Sequence, residues 1–217
     1  PNRAAIQEST KPVLSLGKSK FEKLVRNPDE LIDKTLFIKK LIDDSSQKVL
    51  LSAPKYFGKT TNLDMIKRFL EVEVDSNGKI LDNAKRLNSK LFMKNNLKIN
   101  KDKKFCEKYL GKYPVLFIDY GSLNNINSYS NMLQYFRDLQ RETFLGHKYL
   151  LNVRNLWINN LNFTVFKKYF DLNENLSELE ITNGFRFLLK VLNKHFKKNV
   201  VVLIDNYGSL LDNLIFS

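Results

Sequence analysis

Ala53-Pro54-Lys55-Tyr56-Phe57-Gly58-Lys59-Thr60 is the stretch on which the fold of this chain turns. Its second half fits the pattern G-x-x-x-x-G-K-[ST], which works through geometry. A loop between a strand and a helix turns its backbone N–H groups inward to cradle phosphate oxygens, and the helix N-terminus adds partial positive charge at the same point. The lysine of the pattern reaches the β- and γ-phosphates, and the hydroxyl binds Mg²⁺. Here Gly58, Lys59 and Thr60 fill those positions in order, with Thr61 beside them. The first glycine position holds Ala53, followed by Pro54. A methyl group there crowds the loop if the backbone needs a positive φ. Taken alone, the motif competes with a chance Gly-Lys-Thr between a strand and a helix.

The flanks supply the context the pattern needs. Lys48-Val49-Leu50-Leu51-Ser52 is a short apolar, β-like run leading into the loop, and Leu63, Ile66, Phe69 and Leu70 fall at helical spacing after it, predicting a helix over 59–72. Thr35 reads as the N-cap of an earlier helix through Ile42. Asp75-Ser76-Asn77-Gly78 is turn chemistry. Residues 80–112 offer no long element, and 143–183 read as packed helices. Pro114–Asp119 and Asn199–Asp205 are continuous apolar runs, the signature of strands buried on both faces. Helical stripes at Met132–Leu139 and Phe185–Phe196 lie between them. Buried strands alternating with amphipathic helices imply an α/β protein with a mainly parallel sheet. Residues 1–17 read as an extended lead-in and 18–217 as one domain.

A phosphate-binding loop also needs an acidic residue at the end of a neighbouring buried strand, to hold Mg²⁺ through water. Asp119 and Asp205 both close apolar runs, and Asp205 ends the stronger one. Composition narrows the rest. The 217 residues are 43% hydrophobic with 16 Phe, enough for a core. No apolar run reaches the roughly 18 residues of a membrane helix. Cys106 stands alone, so a disulfide within the chain is excluded and a reducing compartment is expected. With only His147 and His195, zinc catalysis and Ser-His chemistry lack material, and His195 reads as a packed or solvated helix residue. The net charge of +13 favours polyanions, although a solvated lysine-rich surface explains it equally simply.

The chain resembles the predicted AAA-ATPase family, the AAA-ATPase-like domain proteins of the P-loop superfamily, from about Leu16 onward. The family's D-K-T-x-F-I block is matched by Asp33-Lys34-Thr35-Leu36-Phe37-Ile38. Its loop, commonly R-P-R-R-F-G-K-T, is matched in part by residues 53–60, so the missing first glycine is a family habit. Phe105 to Val115 is similar to the family's central segment. Val201-Val202-Leu203-Ile204-Asp205-Asn206-Tyr207 is similar to the block V-L-I-D-E-Y-D.

The resemblance implies an AAA-like three-layer sandwich that binds ATP and Mg²⁺. Residues 53–61 would form the nucleotide loop, Lys59 would neutralise phosphate, Thr60 and Asp205 would hold the metal, and Asp119 would end the neighbouring strand. Asn206 stands where the family has a glutamate that polarises the attacking water, and Gly208 where it has an aspartate. Asparagine orients water but accepts no proton at neutral pH, so hydrolysis is expected to be weak or absent. Only residues 206–217 follow Asp205, whereas such folds continue into further strands. The sheet is therefore expected to be incomplete at the C-terminus, as in a fragment or a decayed copy. The competing reading is a non-enzymatic module that binds nucleic acid or a protein through its basic surface. A P-loop kinase fits less well, given the long interval between Lys59 and Asp205.

Overall fold

Two runs of consecutive apolar residues become the sheet. The computed structural model describes residues 20–27, 31–54, 56–121, 126, 128–157 and 160–209. Within them β1 (Val115–Asp119) and β2 (Val201–Asp205) pair in parallel, in register from Val115 opposite Val201 to Asp119 opposite Asp205. A parallel pair needs a crossover. Here it is made by α6 (Tyr129–Leu145), two 3₁₀ turns, α7 (Asn160–Lys168) and α8 (Glu178–Phe196). Before the sheet come α1 (Phe21–Val25), α2 (Leu36–Asp43), α3 (Lys59–Leu70), α4 (Leu87–Lys94) and α5 (Lys103–Tyr109). The segments 80–112 and 143–183 thus hold short helices and turns, and the lead-in 1–17 lies outside the described residues.

The alternation of side chains along the strands divides the interior into two cores. Val115 and Leu203, with half-buried Phe117 and Val201, join Met65, Ile66 and Phe69 of α3 on one face. Leu116 and Ile118 join Leu139 of α6 and Leu188 and Leu192 of α8 on the other. The α6–α8 contact is close. Gly184 of α8 faces Gln140, whose amide donates to the Ile181 carbonyl, and a Cβ at Gly184 would sit 2.2 Å from Gln140 Oε1. Ser177 and Glu180 form a reciprocal cap that fixes where α8 begins.

Three expectations need correction. Lys48–Ser52 forms no strand, and Val49 and Leu50 are exposed. A strand exists only as a paired state, and among the described residues none pairs with this run. Secondly, β2 is not buried on both faces, because Val202 and Ile204 are 42% and 43% exposed while Leu203 and Asp205 are buried. The helices on that side cover β1 and leave β2 half open. Thirdly, Thr35 precedes α2 but its side chain makes no cap to it.

Thr35 is fully buried and works at longer range. Its Oγ1 donates to Asp33 Oδ1 at 2.7 Å and accepts from the Ile99 N–H at 3.1 Å. Asp33 Oδ1 also accepts from the Thr35 N–H, and Asp33 Oδ2 from the Lys98 N–H at 2.7 Å. Partial burial pushes the Asp33 carboxyl up, but the donors from Thr35 and Lys98 outweigh it and hold the carboxyl below its usual range. The Asp33-Lys34-Thr35 block is thus a clamp on the 3₁₀ turn Lys98–Lys101.

Replacing Thr35 by Val leaves the buried Ile99 N–H without its acceptor, a loss of about 1–3 kcal/mol, read as a lower urea midpoint with an unchanged slope. A second prediction concerns His147, 7% exposed behind α6, with Nδ1 3.3 Å from the Tyr149 hydroxyl. Burial, aided by the Lys67 ammonium, depresses its pKa to about 4. The stabilisation from neutral His147 is whole above the ordinary value of about 6.5 and is lost as pH falls through about 4. Urea midpoints measured from pH 7.5 to pH 4.5 should therefore fall less steeply in His147→Gln than in the wild type; parallel profiles would refute this.

Candidate nucleotide site

Among its described residues, the loop before α3 has two in the left-handed conformation. Gly58, at φ +78°, is the residue before the helix, and Tyr56 has φ +67°. A Cβ at Gly58 would meet nothing within 4 Å, so glycine is required there by the backbone alone. Ala53 is not among the residues with positive φ, so its methyl group does not strain the position usually held by glycine. The Phe57 N–H reaches the Pro54 carbonyl at 3.4 Å, closing the turn. Tyr56 and Phe57 project into solvent, and Lys55 lies outside the described residues.

Lys59 opens α3 and folds back over the loop. Its ammonium donates to the carbonyls of Ala53 at 2.5 Å and Pro54 at 2.9 Å. Thr60 and Thr61 follow in the first turn, half-buried. The first backbone N–H groups of a helix have no intrahelical acceptor and point out of its end. The Lys59 ammonium over the loop and the N–H groups at the helix start are donors carried on one short stretch of chain. Further along, Met65, Ile66, Phe69 and Leu70 bury α3 against both strands, so these donors sit on a helix anchored to the sheet.

The second half of the site lies where the strands end. Asp119 and Asp205 are opposite in the ladder. Asp205 is 4% exposed; its Oδ1 accepts from the Asn206 N–H at 2.9 Å, while Oδ2 is buried and takes no hydrogen bond among the described residues. Asp119 is exposed, and its Oδ1 accepts from the Gly121 N–H and from Asn206 Nδ2, both at 2.8 Å. Asn206 adopts φ +53°, a conformation asparagine tolerates better than most residues. Gly121 leaves room for this latch: a Cβ there would come within 2.6 Å of Asn206 Nδ2.

The predicted residues therefore fall into two groups. Ala53, Pro54, Tyr56, Phe57, Gly58, Lys59, Thr60 and Thr61 make the loop and helix start; Asp205 and Asn206, with Asp119, make the strand ends. The latch between Asn206 and Asp119 was missed in the sequence. Its signal is that both apolar runs close on aspartate. Among the described residues no three His, Cys, Asp or Glu side chains gather to hold a metal by themselves. A divalent ion would need Thr60, Asp205 and oxygens from its own ligand or water, and the donor-free Asp205 Oδ2 fits that demand. His195 and Cys106 serve the interior. His195 Nε2 lies 2.8 Å from the Gly78 carbonyl, and burial raises the Cys106 thiol.

Among the described residues no helix is long and apolar enough to cross a membrane. No curated protein and no solved structure matches the chain. Among known families, the one described as "Predicted AAA-ATPase" matches residues 15–216, nearly the full length, and takes in the loop, the Asp33–Ile38 block and the end of β2. The chain belongs to the predicted AAA-ATPase family.

Proposed function

We propose that residues 18–217 act as one AAA-like P-loop domain with a three-layer sandwich architecture that binds ATP with Mg²⁺ and hydrolyses it weakly or not at all. The observation that carries this reading is a lysine-capped, left-handed loop at a helix start together with a buried Asp205 oxygen that takes no hydrogen bond among the described residues. Lys59 would exchange the Ala53 and Pro54 carbonyls for phosphate oxygens, helped by the N–H groups of the loop and of Thr60 and Thr61. Thr60 and Asp205 would hold Mg²⁺, which when bound neutralises charge on the phosphates. The residues beside the reacting centre are poorly suited to deprotonating water. Asn206 accepts no proton, and its amide is already committed to Asp119. A missing general base costs about 10²–10⁴-fold in rate.

Two measurements test these statements separately. Lys59→Ala should weaken Mg-ATP binding at least tenfold by calorimetry, and equal affinities would remove the proposal. For turnover, Asn206→Glu alone sets two carboxylates against each other at the Asp119 latch. The double change Asn206→Glu with Asp119→Asn restores a donor–acceptor pair there. It should raise the ATPase rate of the full chain above wild type while leaving ATP affinity within a few-fold. An unchanged rate with intact binding would show that the exchange at 206 is not what limits hydrolysis.

A further inference from the structure

A second concentration of charge lies away from the loop, where the Asp33–Thr35 clamp holds the chain. The turn Lys98–Lys101 and the start of α5 are fixed from within: Ile99 is fully buried, its N–H is held by Thr35, and its carbonyl accepts from the Cys106 thiol at 3.4 Å. Asp102 caps α5 through the Phe105 N–H. On this fixed backbone Lys98, Lys101, Lys103 and Lys104 all project outward, and with Leu36, Lys39 and Asp102 they line an open groove of about 740 Å³. The single acidic residue is already matched, because Asp102 pairs with Lys39, whose ammonium also sits 5.7 Å from the centre of the Phe105 ring. The other four ammonium groups make no hydrogen bond or ion pair among the described residues.

Holding four like charges on one short segment costs repulsion, which a polyanion would relieve. We propose that this groove binds the phosphate backbone of a nucleic-acid duplex, independently of the nucleotide loop. The lining selects that partner. It has no aromatic ring on which an unpaired base could stack, so a single strand gains little there. Duplex DNA presents a charge about every 1.7 Å of its axis, which lets several lysines engage at once. Lysine contacts to phosphate position a duplex without reading its sequence.

The test is fluorescence anisotropy with a labelled 20-base-pair duplex of arbitrary sequence, using the full chain across a salt series. Four lysine–phosphate contacts predict a slope of log affinity against log salt of about −3.6. Lys101→Glu with Lys104→Glu should roughly halve that slope and weaken binding at least tenfold at low salt. Lys79→Glu with Lys190→Glu changes the net charge equally but lies off the groove, and should retain most of the affinity. Thermal melts check that both variants fold, as expected for exposed side chains. Equal losses in the two variants would assign binding to diffuse charge and overturn the proposal. So would retained affinity in the groove variant, or wild-type binding to phosphatidylserine vesicles with none to the duplex.

Discussion

The parallel pairing of β1 with β2 is the constraint from which the rest of the architecture follows. β1 contributes apolar side chains to both cores and β2 to the one under α3, so the ladder becomes the wall between them. α3 needs that wall to bury Ile66 and Phe69, and α6 with α8 needs it from the other side. The same register sets Asp119 beside Asp205, so the polar end of the site is a direct product of strand alignment. A slip of one residue would send Asp205 to the opposite face and expose Leu203 in its place.

The elements most legible in the sequence were those whose pattern is local. The 59–70 helix, the Asp75–Gly78 turn, both strands and the stripe of α8 each follow from spacing within a dozen residues or so. The failures share a cause as well. Lys48–Ser52 carries the composition of a strand, but strand formation depends on a partner elsewhere in the chain, which composition does not reveal. Thr35 has the chemistry of a helix cap, yet its hydroxyl goes to Ile99, 64 residues away. Val202 and Ile204 belong to a run that reads as buried, but burial depends on how far the α6–α8 layer extends across the sheet. In the site, Ala53 looked like a steric fault because the backbone angle at that position is not written in the motif. Among the described loop residues the left-handed ones are Tyr56 and Gly58.

The two halves of the family pattern therefore do different physical work. The loop around Lys59 presents donors at the start of α3, and the end of β2 presents the Asp205 carboxylate. The Asp33–Thr35 block spends its polar groups internally, fixing a turn that would otherwise carry its lysines on a loose chain. Asp33 accepts three hydrogen bonds and Thr35 both donates and accepts, so the block is almost fully satisfied before any ligand arrives. A residue satisfied in this way organises structure, whereas one left unsatisfied invites a ligand.

Asp205 is the opposite case. Leaving a buried carboxylate oxygen without a donor costs about 1–3 kcal/mol, and among the described residues no donor meets Asp205 Oδ2. Its neighbour Asn206, by contrast, donates its side-chain amide to Asp119 across the strand ends. The polar end of the sheet thus combines one oxygen held open with one amide held shut. Under the proposed function, binding would draw on the open group and water activation on the shut one. On the same proposal that asymmetry would separate affinity from turnover: a cation would recover the energetic penalty at Asp205, whereas freeing Asn206 would break a latch and still supply no base.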